Sequence, residues 1–412
     1  MKTNDLKLKK VFQKITIGKK ILKNRIISSP ISINMAENGG YVSKNIISYF
    51  ENLGRSGVAM VTIGAAAVSK QGNDTKKGMI VGPKKYDKGL QKLSKNVKST
   101  GAKISLQIYH VGSQGNPQHN FEKIVGPSSY TLPIVGIKSE PLTISEIKKV
   151  EKDFCNALIA GYKNGFDFVE IHLAHGYLLH EFLCSFFNKR KDMYGGSFNN
   201  RFRILSNILN KAYKTCPNLV GRIGFRLSAN DYVKGGFDIN LAKVLVRKLD
   251  QFKPAYYVVT AGLYETAKYK YLDMKNGKYW IYASDLKKIT KVPVVAQGGI
   301  TDLYTGNKLL EKNYCDFFGM AQSLIADPSL IKKTLSNKEK DIIPCVAHLK
   351  LGSCHRCRYI KQKDLTFDCI TPSSWRPPNK IVSIQSRKKD LRIWKKLNDK
   401  VYNKKSEFFN FV

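Results

Sequence analysis

The chain has 412 residues, 42% of them hydrophobic and 25% charged, which suits a globular protein built as one large α/β barrel or as two domains. It contains no run of about 18 apolar residues, and its N-terminus, MKTNDLKLKKVFQK, lacks the apolar core of a signal peptide; a cytoplasmic protein without a transmembrane helix is expected. The net charge of +39 comes from scattered lysines, which fit a codon bias toward Lys, Asn, Ile and Tyr better than a nucleic-acid partner, and nucleic acid is not expected.

In chain order, ITIGKKILKN (15–24) has turn residues at its centre and predicts a hairpin. Short apolar, β-branched runs then recur at 25–32, 58–64, 103–109, 168–172, 221–228, 256–262, 292–298 and 315–321. Helix-period segments separate them at 43–53, 87–100, 145–164, 199–215, 240–252, 281–290, 302–312 and 328–336. Thr143 or Ser145 caps the third of these, and Asp327-Pro328 opens the last. Eight alternations predict parallel strands joined by crossover helices, an α/β fold of the (β/α)8 TIM-barrel type with the hairpin at its bottom. No early strand is followed by Gly-x-Gly-x-x-Gly, which argues against a doubly wound dinucleotide-binding sheet. The expected division is a barrel over 1–338 and a Lys-rich, Cys-containing C-terminal extension over 339–412. Its tail is expected as a basic amphipathic helix, packed on the barrel or on a neighbouring subunit of a homo-oligomer.

Barrel active sites form where the C-terminal strand ends converge. The predicted ends carry Ser29-Pro30-Ile31-Ser32, Gln107 to His110, His172 with His175 and Tyr177, Arg226, Gly298-Gly299, and Ala321-Gln322. In His172-Leu-Ala-His175-Gly-Tyr177, two imidazoles in one short turn can donate to one oxygen acceptor, and a phenol can supply a proton. The competing readings are a zinc site or ordinary buried histidines, although no HExxH-type carboxylate follows.

The run EIHLAHGYLLHEFLCSFFNKRKDMYGGSFNNRFR (170–203) resembles the signature of the old yellow enzyme family, FMN-dependent ene-reductases that include the reductase part of bacterial 2,4-dienoyl-CoA reductases. Further similarity lies in KNRIISSPIS (23–32), QIYHVG (107–112), GPS (126–128), GFRLS (224–228), GGI (298–300) and GMAQSLIADP (319–328). The resemblance implies bound FMN, NADH or NADPH as reductant, and a small-molecule electron acceptor such as an activated alkene. It implies that His172 and His175 hold the acceptor's oxygen and that Tyr177 protonates the carbon next to it. It also implies that Gln107 and Arg226 meet the flavin ring, with Pro30, Ile31, Ser32 and Ala65 or Ala66 flanking it. Gly298, Gly299, Ala321 and Gln322 would cradle the phosphate. Two positions depart from the family pattern. Ser32 stands where Thr or Cys is usual, and Gln322 stands where an arginine usually contacts the phosphate.

Of eight cysteines, Cys345, Cys354, Cys357 and Cys369 cluster near the end. Four thiolates at this spacing suit a [4Fe–4S] cluster or a zinc ion, and the third reading is structural thiols without metal. In the dienoyl-CoA reductase branch a related run binds [4Fe–4S], but two of the three spacings differ here. Two rival functions stand beside the reductase. One is a tRNA dihydrouridine synthase, whose catalytic Cys motif is missing; the other is a non-catalytic barrel that binds RNA or membrane.

Overall fold

The computed structural model describes residues 7–115, 122–133, 136–266, 277–343 and 345. Eight parallel strands close into a barrel: β1 (Ile26–Ser28), β2 (Met60–Ala67), β3 (Lys103–Tyr109), β4 (Phe168–Leu173), β5 (Ile223–Ser228), β6 (Tyr256–Thr260), β7 (Val294–Gln297) and β8 (Phe317–Met320). Each pairs with its sequence neighbours, and β8 closes the ring on β1 with Phe318 opposite Ile26. All eight expected strands are present.

The outer helices are α1 (Lys44–Arg55), α2 (Asp87–Ser99), α3 (Ile144–Lys163), α4 (Leu178–Leu183), α5 (Phe198–Thr215), α6 (Ile239–Asp250), α7 (Lys278–Lys287), α8 (Leu303–Glu311), α9 (Gln322–Ala326) and α10 (Leu330–Leu335). Local chemistry sets their starts. Thr143 and Glu146 form a capping box on α3, and Ser43, Ser197, Asp238 and Asp302 accept from first-turn N–H groups of α1, α5, α6 and α8. Each helix lays an apolar stripe on the sheet; α1 buries Ile46, Ile47, Phe50 and Leu53, spaced at one helical turn. The segment expected as a helix over 328–336 is present as α10, and the Asp327 carboxylate just before it accepts from the N–H groups of Ser329 and Ile343 and from Lys333 Nζ.

Strand residues alternate between the helix layer and the barrel interior. On β4, Val169, Ile171 and Leu173 pack outward, while Phe168, Glu170 and His172 belong to the interior. At the N-terminal end the interior is apolar: Ile27, Met60, Phe168, Tyr256, Val295 and Phe317 form one cluster. The hairpin of Ile15–Ile17 and Lys20–Leu22 seals it by inserting Ile17 and Leu22, both fully buried. Tyr256 crosses the interior over Gly224, where an added Cβ would lie 2.4 Å from the ring, and its hydroxyl meets Ser105 Oγ at 2.7 Å. Above this layer the interior becomes polar. Among the described residues no helix is long and apolar enough to cross a membrane.

Candidate active site

Glu170 lies opposite Gln107 on β3, and His172 lies opposite Arg226 on β5. This register stacks two polar layers. In the lower one, Gln107 Nε2 donates to Glu170 Oε1 at 2.6 Å. Burial pushes the Glu170 carboxyl up, while Arg226, Gln107 and Tyr256 pull it down. Arg226 forms the next contact outward. In the orientation that satisfies its neighbours, the Gln297 amide accepts from Arg226 Nε and Nη2 at 3.2 and 3.0 Å and donates to Ser29 Oγ at 3.2 Å. The Arg226 guanidinium is thus held across the barrel by Gln297 of β7, itself tied to Ser29 after β1.

The turn after β4 holds the upper layer. Ala174 N–H donates to His172 Nδ1 at 3.3 Å, which places the imidazole proton on Nε2. His175 and Gly176 both adopt left-handed backbone, with φ of 65° and 76°. That sharp turn brings the two histidine rings to 5.1 Å and packs Tyr177 edge-on against His172 at 4.8 Å. His175 Nε2 lies 3.0 Å from Thr260 Oγ1, at the end of β6. Tyr109 packs against the other side of Tyr177, its hydroxyl fixed by Asp74 at 2.7 Å. Tyr177 Oη is 3.1 Å from Tyr264 Oη, on the loop after β6.

The remaining expected residues sit around the same mouth. Ser29 to Ser32, Ala65, Arg226, Gly298, Gly299, Ala321 and Gln322 are all partly exposed at the ends of otherwise buried strands. Ala66 is fully buried, so Ala65 is the residue that faces the opening. Ser32 Oγ accepts from Ala65 N–H at 3.4 Å, tying the β1 and β2 ends together. Gly298 and Gly299 follow β7 with φ of 90° and 68°, a conformation that turns successive backbone groups toward the mouth and that side chains disfavour. Gln322 opens α9 directly after β8. His110, also at a strand end, is not part of the site. Gly112 N–H donates to its Nδ1, and burial, with Lys149 nearby, lowers its pKa to about 3, which keeps the ring neutral.

Sequence reasoning assigned no role to Glu170, Gln297, Thr260 or Tyr264. The first three are inward positions near strand ends, a signal readable only once each strand's start is known. The loops after β3 and β6 meet where Tyr130 donates to Glu265 Oε1 at 2.8 Å; residues 267–276 lie outside the described residues. Cys345 is described and partly buried, while Cys354, Cys357 and Cys369 lie outside the described residues, as does almost all of the expected C-terminal extension.

The chain matches the NADH:flavin oxidoreductase / NADH oxidase family over residues 10–341. It is 31% identical to an NADH oxidase of Thermoanaerobacter brockii, over 82% of this chain and 52% of that protein. It is 28% identical to an NADPH dehydrogenase of Clostridium acetobutylicum, over 81% of this chain and 96% of the relative. The chain spans about half the length of the NADH oxidase and of a metal reductase of Desulforamulus reducens, to which it is 28% identical over 82% of its residues. In fold it is similar to 2-naphthoyl-CoA reductase, with a TM-score of 0.82 at 23% identity over 90% of this chain and 58% of the other. It is likewise similar to the old yellow enzyme homologue from Zymomonas mobilis, with a TM-score of 0.67 at 22% identity over 79% and 92%.

Proposed function

We propose, for a chain that belongs to the NADH:flavin oxidoreductase / NADH oxidase family, an FMN-dependent NAD(P)H oxidoreductase that reduces an activated alkene or a similar electron-poor acceptor. The observation that carries this reading is the pairing of two layers at one mouth: the His172, His175 and Tyr177 turn above, and Arg226, Gln297, Gln107 and Glu170 below.

The residues suit FMN. Gln107 uses its amide nitrogen on Glu170, so its carbonyl oxygen is the group offered to a ring N–H. Arg226, held by Gln297, supplies fixed positive charge for an electron-rich ring edge. Pro30, Ile31, Ser32 and Ala65 would flank the ring, and Gly298, Gly299, Ala321 and Gln322 would offer backbone and amide donors to the phosphate. When bound, FMN would supply hydride transfer between NADH or NADPH and the acceptor.

The chain's own residues do the rest. His172 offers Nε2–H to the acceptor's oxygen, and His175 beside it offers the second donor, drawing electron density from the double bond. The Tyr177 O–H bond breaks as the new C–H bond forms at the carbon next to that group. Tyr109 and His172 clamp the phenol so that its oxygen faces the mouth. The family match disfavours the dihydrouridine synthase alternative.

The test is an absorbance spectrum of anaerobically purified protein, followed by NADPH and then 2-cyclohexen-1-one. The reading requires a bound flavin band that bleaches with the first and returns with the second. Protein without flavin, or enone reduction unchanged in both Tyr177→Phe and the His172/His175 double variant, would sink it. Iron, zinc and acid-labile sulfide analysis of the same sample decides among the three readings of the cysteine cluster.

A further inference from the structure

A buried pair that none of the steps above uses holds the turn carrying His175 and Tyr177. Gly176, the residue between them, donates its N–H to His180 Nδ1 at 3.1 Å. With Nδ1 accepting, the ring proton sits on Nε2, and Nε2 lies 3.1 Å from Asp231 Oδ2. Both side chains are 0% exposed. Asp231 is fixed in turn: Ser228 Oγ donates to Oδ1 at 2.6 Å and Phe237 N–H to Oδ2 at 2.7 Å. The Phe237 ring stacks on the imidazole at 5.2 Å.

The bonds continue to the other side of the mouth. The Asp231 carbonyl accepts from Thr266 Oγ1 at 3.0 Å, and the same hydroxyl accepts from Leu263 N–H at 2.9 Å. Tyr264 sits between those two residues, with its phenol against that of Tyr177. The contacts Gly176 to His180, His180 to the Asp231 carboxylate at ion-pair distance, and Asp231 through Thr266 to Leu263 together link the two loops whose phenols meet, with hydrogen bonds at every step except the His180–Asp231 one.

The turn needs such a tie. A non-glycine residue with positive φ, as at His175, is strained and persists only where its surroundings over-determine it. Its restraints include the bond from His175 to Thr260, the backbone bond from Tyr177 N–H to the Ala174 carbonyl, and the Gly176 N–H bond to His180. The Gly176 bond depends on a tautomer, because a proton on His180 Nδ1 would face the Gly176 N–H directly. The Asp231 carboxylate selects the tautomer that accepts.

We propose that His180 and Asp231 are positioning residues for the proton-donating turn: Asp231 sets the His180 tautomer, His180 holds Gly176, and the pair fixes where His175 and Tyr177 stand. The proposal rests on the reading of Tyr177 as proton donor. Its test uses flavin-loaded wild type, His180→Leu, His180→Asn and Asp231→Asn, each reduced anaerobically with NADPH. Reoxidation is then followed with 2-cyclohexen-1-one, which needs a proton delivered to carbon, and separately with oxygen, which does not. Exchange of the amides around Gly176 is read by mass spectrometry on the same samples.

His180→Leu, which removes the acceptor, is expected to slow reoxidation by the enone roughly 10- to 100-fold, to leave reoxidation by oxygen within about twofold, and to speed Gly176 exchange. His180→Asn places an amide oxygen near the former Nδ1 and should recover most of both effects. Asp231→Asn should act like His180→Leu, and it carries the test if the leucine variant does not fold. Equal slowing with both acceptors, an unchanged enone rate, or failure of asparagine to rescue overturns the proposal. A wild-type protein that holds no flavin or ignores the enone defeats the proposed function instead, and the Gly176 exchange rates still judge the pair.

Discussion

The two ends of the barrel are built on the same eight strands from opposite kinds of residue. At the N-terminal end the inward positions are Ile27, Met60, Phe168, Val295 and Phe317, sealed by Ile17 and Leu22 of the hairpin. Only a few residues further along, the inward positions are Gln107, His172, Arg226, Thr260 and Gln297, and the chain becomes partly exposed at Ser29 to Ser32, Ala65 and Gly298–Gly299. The sealed end supplies burial; the open end holds polar groups that satisfy one another and still face the mouth. Stability and chemistry are thus separated along the strand axis, and a substitution at one end should leave the other largely untouched.

The sharpest test of that separation is at the open end. Tyr177→Phe should slow enone reduction by about 10²–10⁴-fold, the usual range for loss of a general acid, with the melting temperature nearly unchanged. His172→Ala should cost about 10²–10³-fold in the same assay, because it removes a fixed donor to the developing charge. If either variant melts much earlier than wild type, the open end is carrying stability and the comparison fails.

The converse substitution is Leu22→Ala. It leaves a cavity in the sealed cluster and should cost about 2–5 kcal/mol in denaturant unfolding, with turnover per folded molecule unchanged. Within the open end, Gln322→Arg should tighten FMN binding about tenfold, the worth of one charge-assisted hydrogen bond of about 1.5 kcal/mol, as read by fluorescence titration of flavin-stripped protein.

The smallest effect concerns a carboxyl between the two regimes. Glu181 is fully buried on α4, accepts from Ser113 N–H at 2.8 Å, and is pushed well above the usual carboxylate range by that burial. A folded pKa above the unfolded value means stability is fully present below pH 4.5 and declines as pH rises toward the folded value. Glu181→Gln keeps an oxygen for Ser113 and should flatten that decline in a series of melting curves at rising pH.

Much of the fold was legible because its signals are local. Each strand is a short apolar, β-branched run bounded by turn residues, and several long helices have a cap of their own, such as Thr143 with Glu146. The motif that holds His172, His175 and Tyr177 was legible too, since it lies within one turn. Gln297 and Thr260 were not, because their inward direction depends on strand phase and on the register of neighbouring strands. His110 shows the converse: it stands at a strand end like the others, yet packing turns it away from the mouth and holds it neutral.

The sequence alone determined the eightfold alternation, the hairpin and the turn that carries His172, His175 and Tyr177, since periodicity and contiguous residue choice are written along the chain. Only the tertiary structure decided what faces that turn. Barrel closure brings Arg226 to Gln297 and Ser29, and Thr260 to His175. It also threads Gly176 through His180 and Asp231 to the loop of Tyr264. These partners lie tens to hundreds of residues apart, and only the register of eight packed strands gives them a common address.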